Sequence, residues 1–318
     1  MRLAELPAWF VIAFAVAFGL IWGSFLNVVI YRVPRGLSVV RPGSACPACG
    51  KPIRAWDNVP VLGYLLLRGK ARCCGAKLSP RYPLVELIGG VLALAVLEVL
   101  VLPLPEATPI ERSLAVFCAG LALALGLVAA AFIDLEHMIL PDSITFGAAI
   151  LGVATSSFRA MTFVEALIGA AAGFAIVWVP FIVIYPRIRK GKVGMGLGDA
   201  KLLMAAGAWF GWSGALVVLG AGAVQGTIAA IVQIAAHGKI EEPEEVTKER
   251  EAIRAELAEM SPEERAEVEK ELAEDPMMEE AEDGLPNARM AFGPFLALAT
   301  IEYLFFGKRV VEWFLGDA

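Results

Sequence analysis

The chain has 318 residues, of which 58% are hydrophobic, and its mean hydropathy is +0.67. Soluble domains are nearer half apolar, so this excess, spread over several long runs, excludes an ordinary soluble protein and predicts membrane spans. The net charge of −6 averages two unlike parts, because residues 238–284 hold 19 of the 33 acidic and 6 of the 27 basic residues. The remainder is basic, yet no basic stripe carries interleaved aromatic residues, so nucleic-acid binding is not expected.

Eight apolar segments follow one another along the chain: residues 8–29, 84–104, 113–133, 143–161, 163–184, 201–212, 215–236 and 291–306. A helical span needs ~20 residues, so the sixth and eighth segments are short. The first segment is too long for the apolar part of a signal peptide, and we expect it to be retained as a span. The pattern predicts an all-α polytopic membrane protein with about eight transmembrane helices.

The loops divide the chain into five regions. Residues 1–30 form the first span, 31–83 a cysteine-containing loop, 84–237 the transmembrane core, 238–286 an acidic helical insertion, and 287–318 the last span and C-terminus. The loop 31–83 carries ten Lys and Arg residues against one acid, Asp57, and the loop 185–199 carries four more basic residues. Basic loops stay on the cytoplasmic side, beside anionic lipid, so both loops are expected there and both termini outside.

The acidic insertion contains local helix signals. Ser261 is a cap residue, and Glu264 follows three residues later, which together are typical of a capping box. Arg254, Arg265 and Lys270 interleave with glutamates at helical spacing. This pattern predicts an exposed, charged helical hairpin without chemistry of its own.

Three aspartates lie at the ends of predicted spans. Asp134 ends the third span, Asp142 precedes the fourth, and Asp199 opens the sixth after a glycine-rich run. Ionisable groups beside a span are expensive and usually functional. Two carboxyl groups sharing one site hold a single proton, so one can take a proton from water while the other polarises a peptide carbonyl. Asp134 and Asp199 are therefore predicted to hydrolyse peptide bonds.

Simpler roles are expected for the neighbouring residues. Asp142 can cap the fourth span, which is the favoured interpretation for it. Glu136 and His137 are expected to be interfacial polar residues. Asp199 is not expected to pair with Lys201, because residues two apart on a helix do not face each other.

The chain resembles the bacterial type IV prepilin peptidases, a family of membrane aspartyl proteases with a Gly-x-Gly-Asp motif. The resemblance covers nearly the whole chain, in family order, through residues 23–32 (GSFLNVVIYR), 46–50 (CPACG), 57–60 (DNVP), 79–86 (SPRYPLVE), 133–142 (IDLEHMILPD), 194–201 (GMGLGDAK) and 292–295 (FGPF). It implies that Asp134 and Asp199 are the catalytic pair. It also implies prepilin and pilin-like secretion-subunit precursors as substrates, removal of a short basic leader in the inner membrane, and N-methylation by S-adenosylmethionine. The binding site of that methyl donor is not predicted.

Four of the five cysteines lie in the first loop, and Cys118 is alone in an apolar run. Cys46-x-x-Cys49 followed by a second cysteine pair is typical of a structural zinc site. The family has Cys-x-x-Cys twice, whereas here Ala71 stands where a cysteine is expected and Cys73 and Cys74 are adjacent. The predicted ligands are Cys46, Cys49, Cys74 and Cys73, and a reduced, metal-free loop remains the alternative.

Two other functions would also place carboxylates at membrane helices. A transporter would show repeated halves and sites near the midplane, and no repeat is evident. A non-catalytic assembly factor would tolerate Asp199→Asn. A preflagellin-type peptidase is a related enzyme, but the cysteine loop favours the prepilin branch.

Overall fold

A computed structural model of the chain describes residues 2–188, 195–238, 240, 243–261, 264, 265, 268 and 290–315. These residues form ten α-helices and no β-strand beyond isolated bridges. The helices are α1 (Ala8–Arg32), α2 (Leu62–Leu66), α3 (Arg81–Val96), α4 (Ile110–His137), α5 (Asp142–Ala154), α6 (Phe163–Val177), α7 (Tyr185–Ile188), α8 (Leu197–His237), α9 (Glu244–Glu259) and α10 (Gly293–Leu315). π-helical turns extend α3 through Leu97–Val101 and join α6 to α7 through Trp178–Ile184.

Five of the described helical stretches are long and apolar enough to cross a membrane: Ala8–Arg32, Arg81–Val101, Ile110–His137, Phe163–Ile188 and Leu197–His237. Two more apolar helices, Asp142–Ala154 and Gly293–Gly307, are shorter. The prediction of an all-α polytopic membrane protein is therefore confirmed. The eight predicted segments fall in seven helical stretches rather than eight, because the sixth and seventh segments are joined without a loop in α8.

The joined helix α8 nevertheless reverses its direction at Gly211. Gly211 has φ 74° and ψ 177°, a conformation open to glycine alone. Gly198, before the reversal, packs against Leu140, and Leu140 also contacts Gly293. Gly226, after the reversal, packs against Phe292, the neighbour of Gly293, so residues 198 and 226 lie near the same point. A straight helix would separate residues 198 and 226 by ~42 Å, so the two arms of α8 must run antiparallel. The sixth and seventh predicted segments are these two arms.

Helix α4 is the centre of the bundle, with 67% of its most apolar stretch buried inside the protein. Helices α1 and α3 pack tightly because Gly19 and Gly89 bring their backbones together, as is common between membrane helices. The first arm of α8 packs on α6 in the same way, through Gly169 and Gly207. Buried leucines and valines of α3, α4, α8 and α10 fill one continuous apolar core.

The acidic insertion is docked rather than fully solvated, which corrects the expectation of an exposed hairpin. Helix α9 packs against α4 and buries Val246, Arg250 and Leu257, which recur on one face at helical spacing. The capping box predicted at Ser261 is confirmed, since Ser261 Oγ accepts from the backbone N–H of Glu264 and the Glu264 carboxylate accepts from Ser261. The rest of the insertion lies largely outside the described residues, as do Arg189, Lys190 and Lys192.

Candidate active site

Asp134 lies one turn before the end of the central helix α4, and its side chain is buried. Its Oδ2 accepts a hydrogen bond of 2.9 Å from the backbone N–H of Gly293, the first residue of α10. A helix N-terminus presents free N–H groups and favours negative charge, so α10 supplies a partner for this carboxylate. Residues 292–295 are part of the family resemblance, but the sequence did not predict this contact. The signal that could have indicated it is the Gly-Pro pair before an apolar run, which is typical of a helix N-terminus.

Asp199 is the third residue of α8 and is also buried. Its Oδ2 accepts a hydrogen bond of 3.2 Å from the backbone N–H of Gly196, so the carboxylate caps the start of its own helix. Gly198, just before it, lies against Leu140, and an added methyl group there would sit 2.9 Å from the Leu140 Cβ. The glycine-rich run therefore lets the chain approach the segment that follows Asp134.

The fold brings the two predicted aspartates together, although they are 65 positions apart in the sequence. Leu140 contacts both Gly198 and Gly293, so one side chain links the elements that carry Asp199 and hold Asp134. Both carboxyl groups are buried in this site. Two buried carboxyl groups in one site disfavour the state in which both are ionised.

Asp142 and Lys201 form an ion pair of 2.5 Å at the edge of this site. The expectation that Asp142 caps the fourth span is wrong, because Pro141 occupies the N-cap position and the Asp142 carboxylate accepts a hydrogen bond from Lys201 instead. Lys201 accordingly pairs with Asp142 and not with Asp199, as the helix spacing predicted. This surface pair ties α5 to α8 beside the aspartates.

Glu136 and His137 extend the site toward α3. Glu136 forms an ion pair with Arg81, the first residue of α3. His137 is buried, and its Nε2 has no hydrogen-bond partner among the described residues, which differs from the interfacial position expected for it. The Glu136–Arg81 pair anchors the end of α4 that carries Asp134 to the start of α3.

The four cysteines of the first loop form a single cluster. All four Sγ atoms lie within 4.8 Å of one another, with Cys46 and Cys74 at 3.7 Å and Cys49 and Cys73 at 3.3 Å. Four thiolates around a zinc ion are separated by about 3.8 Å, as follows from Zn–S bonds of ~2.3 Å in tetrahedral geometry. The cluster therefore has the donors and the spacing of a structural zinc site.

Two similar turns build this cluster. Gly50 donates its N–H to the carbonyl of Cys46, and Gly75 donates to the carbonyl of Ala71, and both glycines have positive φ. Ala71 thus occupies the position of Cys46 in the second turn, as the sequence indicated, and Cys73 supplies the missing thiol.

The local environment acts on the thiols of the cluster in opposite directions. Hydrogen bonds from the backbone at Ala48 and Cys49 lower the pKa of Cys46 to about 7, whereas a hydrogen bond with Cys49 raises the pKa of Cys73 to about 12. The Cys46 thiol can therefore lose its proton near neutral pH, whereas Cys73 keeps its proton until a metal displaces it.

Two family models match the chain. Residues 17–100 match the model of the bacterial peptidase A24 N-terminal domain, and residues 121–231 match that of the type IV leader peptidase family. A prepilin leader peptidase/N-methyltransferase of Neisseria gonorrhoeae is 37% identical over 255 residues, which cover 72% of this chain and 85% of the relative. The chain belongs to the type IV leader peptidase family.

Other relatives carry the same name. The protein of Klebsiella pneumoniae is 39% identical over 201 residues, covering 61% of this chain and 82% of the relative. The protein of Myxococcus xanthus is 35% identical over 329 aligned positions, covering 96% of this chain and 94% of the relative. The Myxococcus xanthus alignment includes most of the acidic insertion, because only 4% of this chain lies outside the alignment and the insertion is longer than that. No solved structure gives a significant match to the chain.

Proposed function

We propose that this protein is a prepilin leader peptidase that uses Asp134 and Asp199 as its catalytic pair and also N-methylates the new terminus. The observation that carries the peptidase proposal is the buried pair of carboxyl groups, one held by Gly293 and the other by Gly196. Family membership and the names of the relatives support the substrate, a prepilin or a pilin-like precursor.

The carboxyl pair can hydrolyse a peptide without a metal or a nucleophilic side chain. The ionised aspartate takes a proton from a water molecule as the oxygen of that water adds to the peptide carbonyl carbon. The protonated aspartate donates its proton to the carbonyl oxygen at the same time. Collapse of the resulting tetrahedral species transfers a proton to the leaving nitrogen and breaks the C–N bond. Gly196 and Gly293 each donate to Oδ2, which leaves Oδ1 of each aspartate free for this exchange.

The cysteine cluster is proposed to hold a structural zinc ion through Cys46, Cys49, Cys73 and Cys74. Such an ion would supply cross-linking to a loop that has little buried apolar material, and no catalytic step depends on it. S-adenosylmethionine is proposed as the methyl donor from the relatives' name alone.

The aspartates and the cysteine loop are proposed to face the cytoplasm. The support is the concentration of ten basic residues in the first loop, because positive charges near span ends resist export. Reporter fusions after Lys51 and after Asp142 should both show cytoplasmic activity. A periplasmic signal at either position would contradict this orientation.

A cleavage assay tests the catalytic pair. Asp134→Asn and Asp199→Asn, purified in lipid nanodiscs with a prepilin, should each lose leader removal almost completely, and the double variant should lose no more, because the two groups act as a unit. Asp142→Asn is the matched control: it removes a neighbouring carboxylate that pairs with Lys201, and it should retain most activity. Substantial cleavage by either variant of the pair would contradict the assignment.

A further inference from the structure

Four large apolar side chains of the first loop are exposed around the short helix α2. Leu62, Leu65 and Leu66 are 57%, 62% and 79% exposed, and Trp56, in the preceding 3-10 turn Ala55–Asn58, is 73% exposed. The leucines recur at helical spacing on one face of α2, while Gly63 on another face is buried against Asp57. We call these four side chains the α2 patch. A contiguous apolar surface of this kind usually marks contact with a membrane or a partner.

The depth of the α2 patch follows from its attachment to α3. The backbone N–H of Val61, the residue before α2, donates a hydrogen bond of 2.7 Å to the carboxylate of Glu86. Glu86 is the sixth residue of the span Arg81–Val101, whose 21 residues measure about 31 Å, close to the ~30 Å hydrocarbon thickness of a bilayer. Glu86 therefore lies ~7 Å inside the end of the span that begins at Arg81. A bilayer that covers this span would place the start of helix α2 at the level of the outer hydrocarbon and not in bulk water.

This attachment is maintained against local strain. Val61 has φ 60°, a conformation that is strongly disfavoured for a β-branched residue. Glu86 itself is buried and is packed by Gly23 of α1, where an added methyl group would lie 2.9 Å from the Glu86 Cα. The anchor is therefore part of the packed α1–α3 pair, and it fixes where α2 begins.

The surface around the α2 patch also fits a bilayer. Leu84 and Leu87, on the same turns of α3 as Glu86, are about half exposed, as expected for residues that contact lipid chains. Arg54 and Arg68 flank the patch and are exposed. Basic residues at this level attract anionic headgroups, and tryptophan favours the interfacial region.

We propose that the α2 patch is inserted into the interfacial layer of the membrane, among anionic lipids, on the side where α3 begins. The patch then continues the lipid-facing surface of α3 and holds the cysteine cluster against the membrane instead of leaving it as a free domain. This proposal does not depend on the proposed function, because none of its tests uses cleavage as a readout.

Photo-crosslinking in nanodiscs tests the contact. A benzophenone amino acid replaces Leu66 in the full chain, and in a second protein it replaces Lys51, an exposed residue of the cysteine loop outside the patch. Illumination in nanodiscs containing anionic lipid should give lipid adducts by mass spectrometry at position 66 and few at position 51. Equal adducts at both positions, or none at position 66, would overturn the proposal. So would loss of the adduct at position 66 when a prepilin peptide is added, since the patch would then be a peptide site.

Fluorescence quenching provides a second measurement without the bulky probe. The difference in emission between the parent protein and Trp56→Phe isolates the signal of Trp56 from that of the other six tryptophans. Lipids brominated near the headgroup end of the acyl chain should quench this difference signal more strongly than lipids brominated near the chain terminus. An unquenched difference signal would place Trp56 in water and contradict the insertion.

Discussion

Gly293→Ala adds one methyl group directly against the proposed catalytic Asp134. The new Cβ would lie 2.6 Å from Asp134 Oδ2 and 3.0 Å from Leu140 Cδ2, where ordinary contacts begin at 3.4 Å. The carboxylate must therefore withdraw by nearly an ångström, which also lengthens its 2.9 Å hydrogen bond from the Gly293 N–H. Misplacement of a reacting group by ~1 Å can cost ~10²-fold in rate, equivalent to about 2.7 kcal/mol of transition-state stabilisation.

The assay is the initial rate of leader removal from a prepilin peptide in nanodiscs, with kcat and KM measured separately. We expect kcat to fall ~100-fold with KM little changed, because the methyl group meets a carboxylate of the enzyme. Gly220→Ala is the matched control, since its Cβ would meet nothing within 4 Å, and it should cleave at the parent rate. Near-normal kcat for Gly293→Ala, with an unchanged melting temperature, would show that Asp134 does not depend on this contact.

Three further predictions concern the regions outside the catalytic pair. Cys46→Ser should remove about one zinc per chain, measured by metal analysis. In the parent protein the zinc affinity should fall more steeply below about pH 7, where protons compete for the Cys46 thiolate as well as for Cys73, so a chelator should extract the metal more readily at pH 6 than at pH 8. Leu257→Ala should lower the stability by about 2 kcal/mol or more in a thermal assay, because it empties a buried position of α9. Glu251→Ala, at an exposed position of α9, should leave the stability unchanged. Equal melting temperatures for the Leu257→Ala and Glu251→Ala variants would show that α9 is not docked.

The membrane class and the candidate chemical groups could be predicted from the sequence because both depend on local composition. Long apolar runs must form helices in a bilayer, where each backbone group needs an internal partner. Aspartates at span ends and closely spaced cysteines are costly or reactive residue types, so their presence alone indicates a function. The capping box at Ser261 was predictable for the same reason, since its two partners are three residues apart.

Contacts between distant segments could not be predicted in this way. The boundary between the predicted segments 201–212 and 215–236 lies close to the reversal at Gly211, but the sequence does not show which helices each arm packs against. The docking of α9 was missed because Val246 and Leu257 form a narrow stripe in a highly charged segment. Asp142 was misassigned because its partner, Lys201, lies 59 positions away.

The sequence by itself determined that the protein is a polytopic membrane protein, and it indicated Asp134, Asp199 and the four cysteines as candidate catalytic and metal-binding residues. Only the tertiary structure decided how Asp134 is held, since its partner Gly293 is 159 positions away and donates through a backbone N–H, a group that every residue except proline carries. The same holds for Val61, whose backbone N–H bonds to Glu86 and attaches the first loop to α3. Side-chain type and spacing are properties of the sequence, whereas the direction of a backbone N–H exists only once the helices have packed.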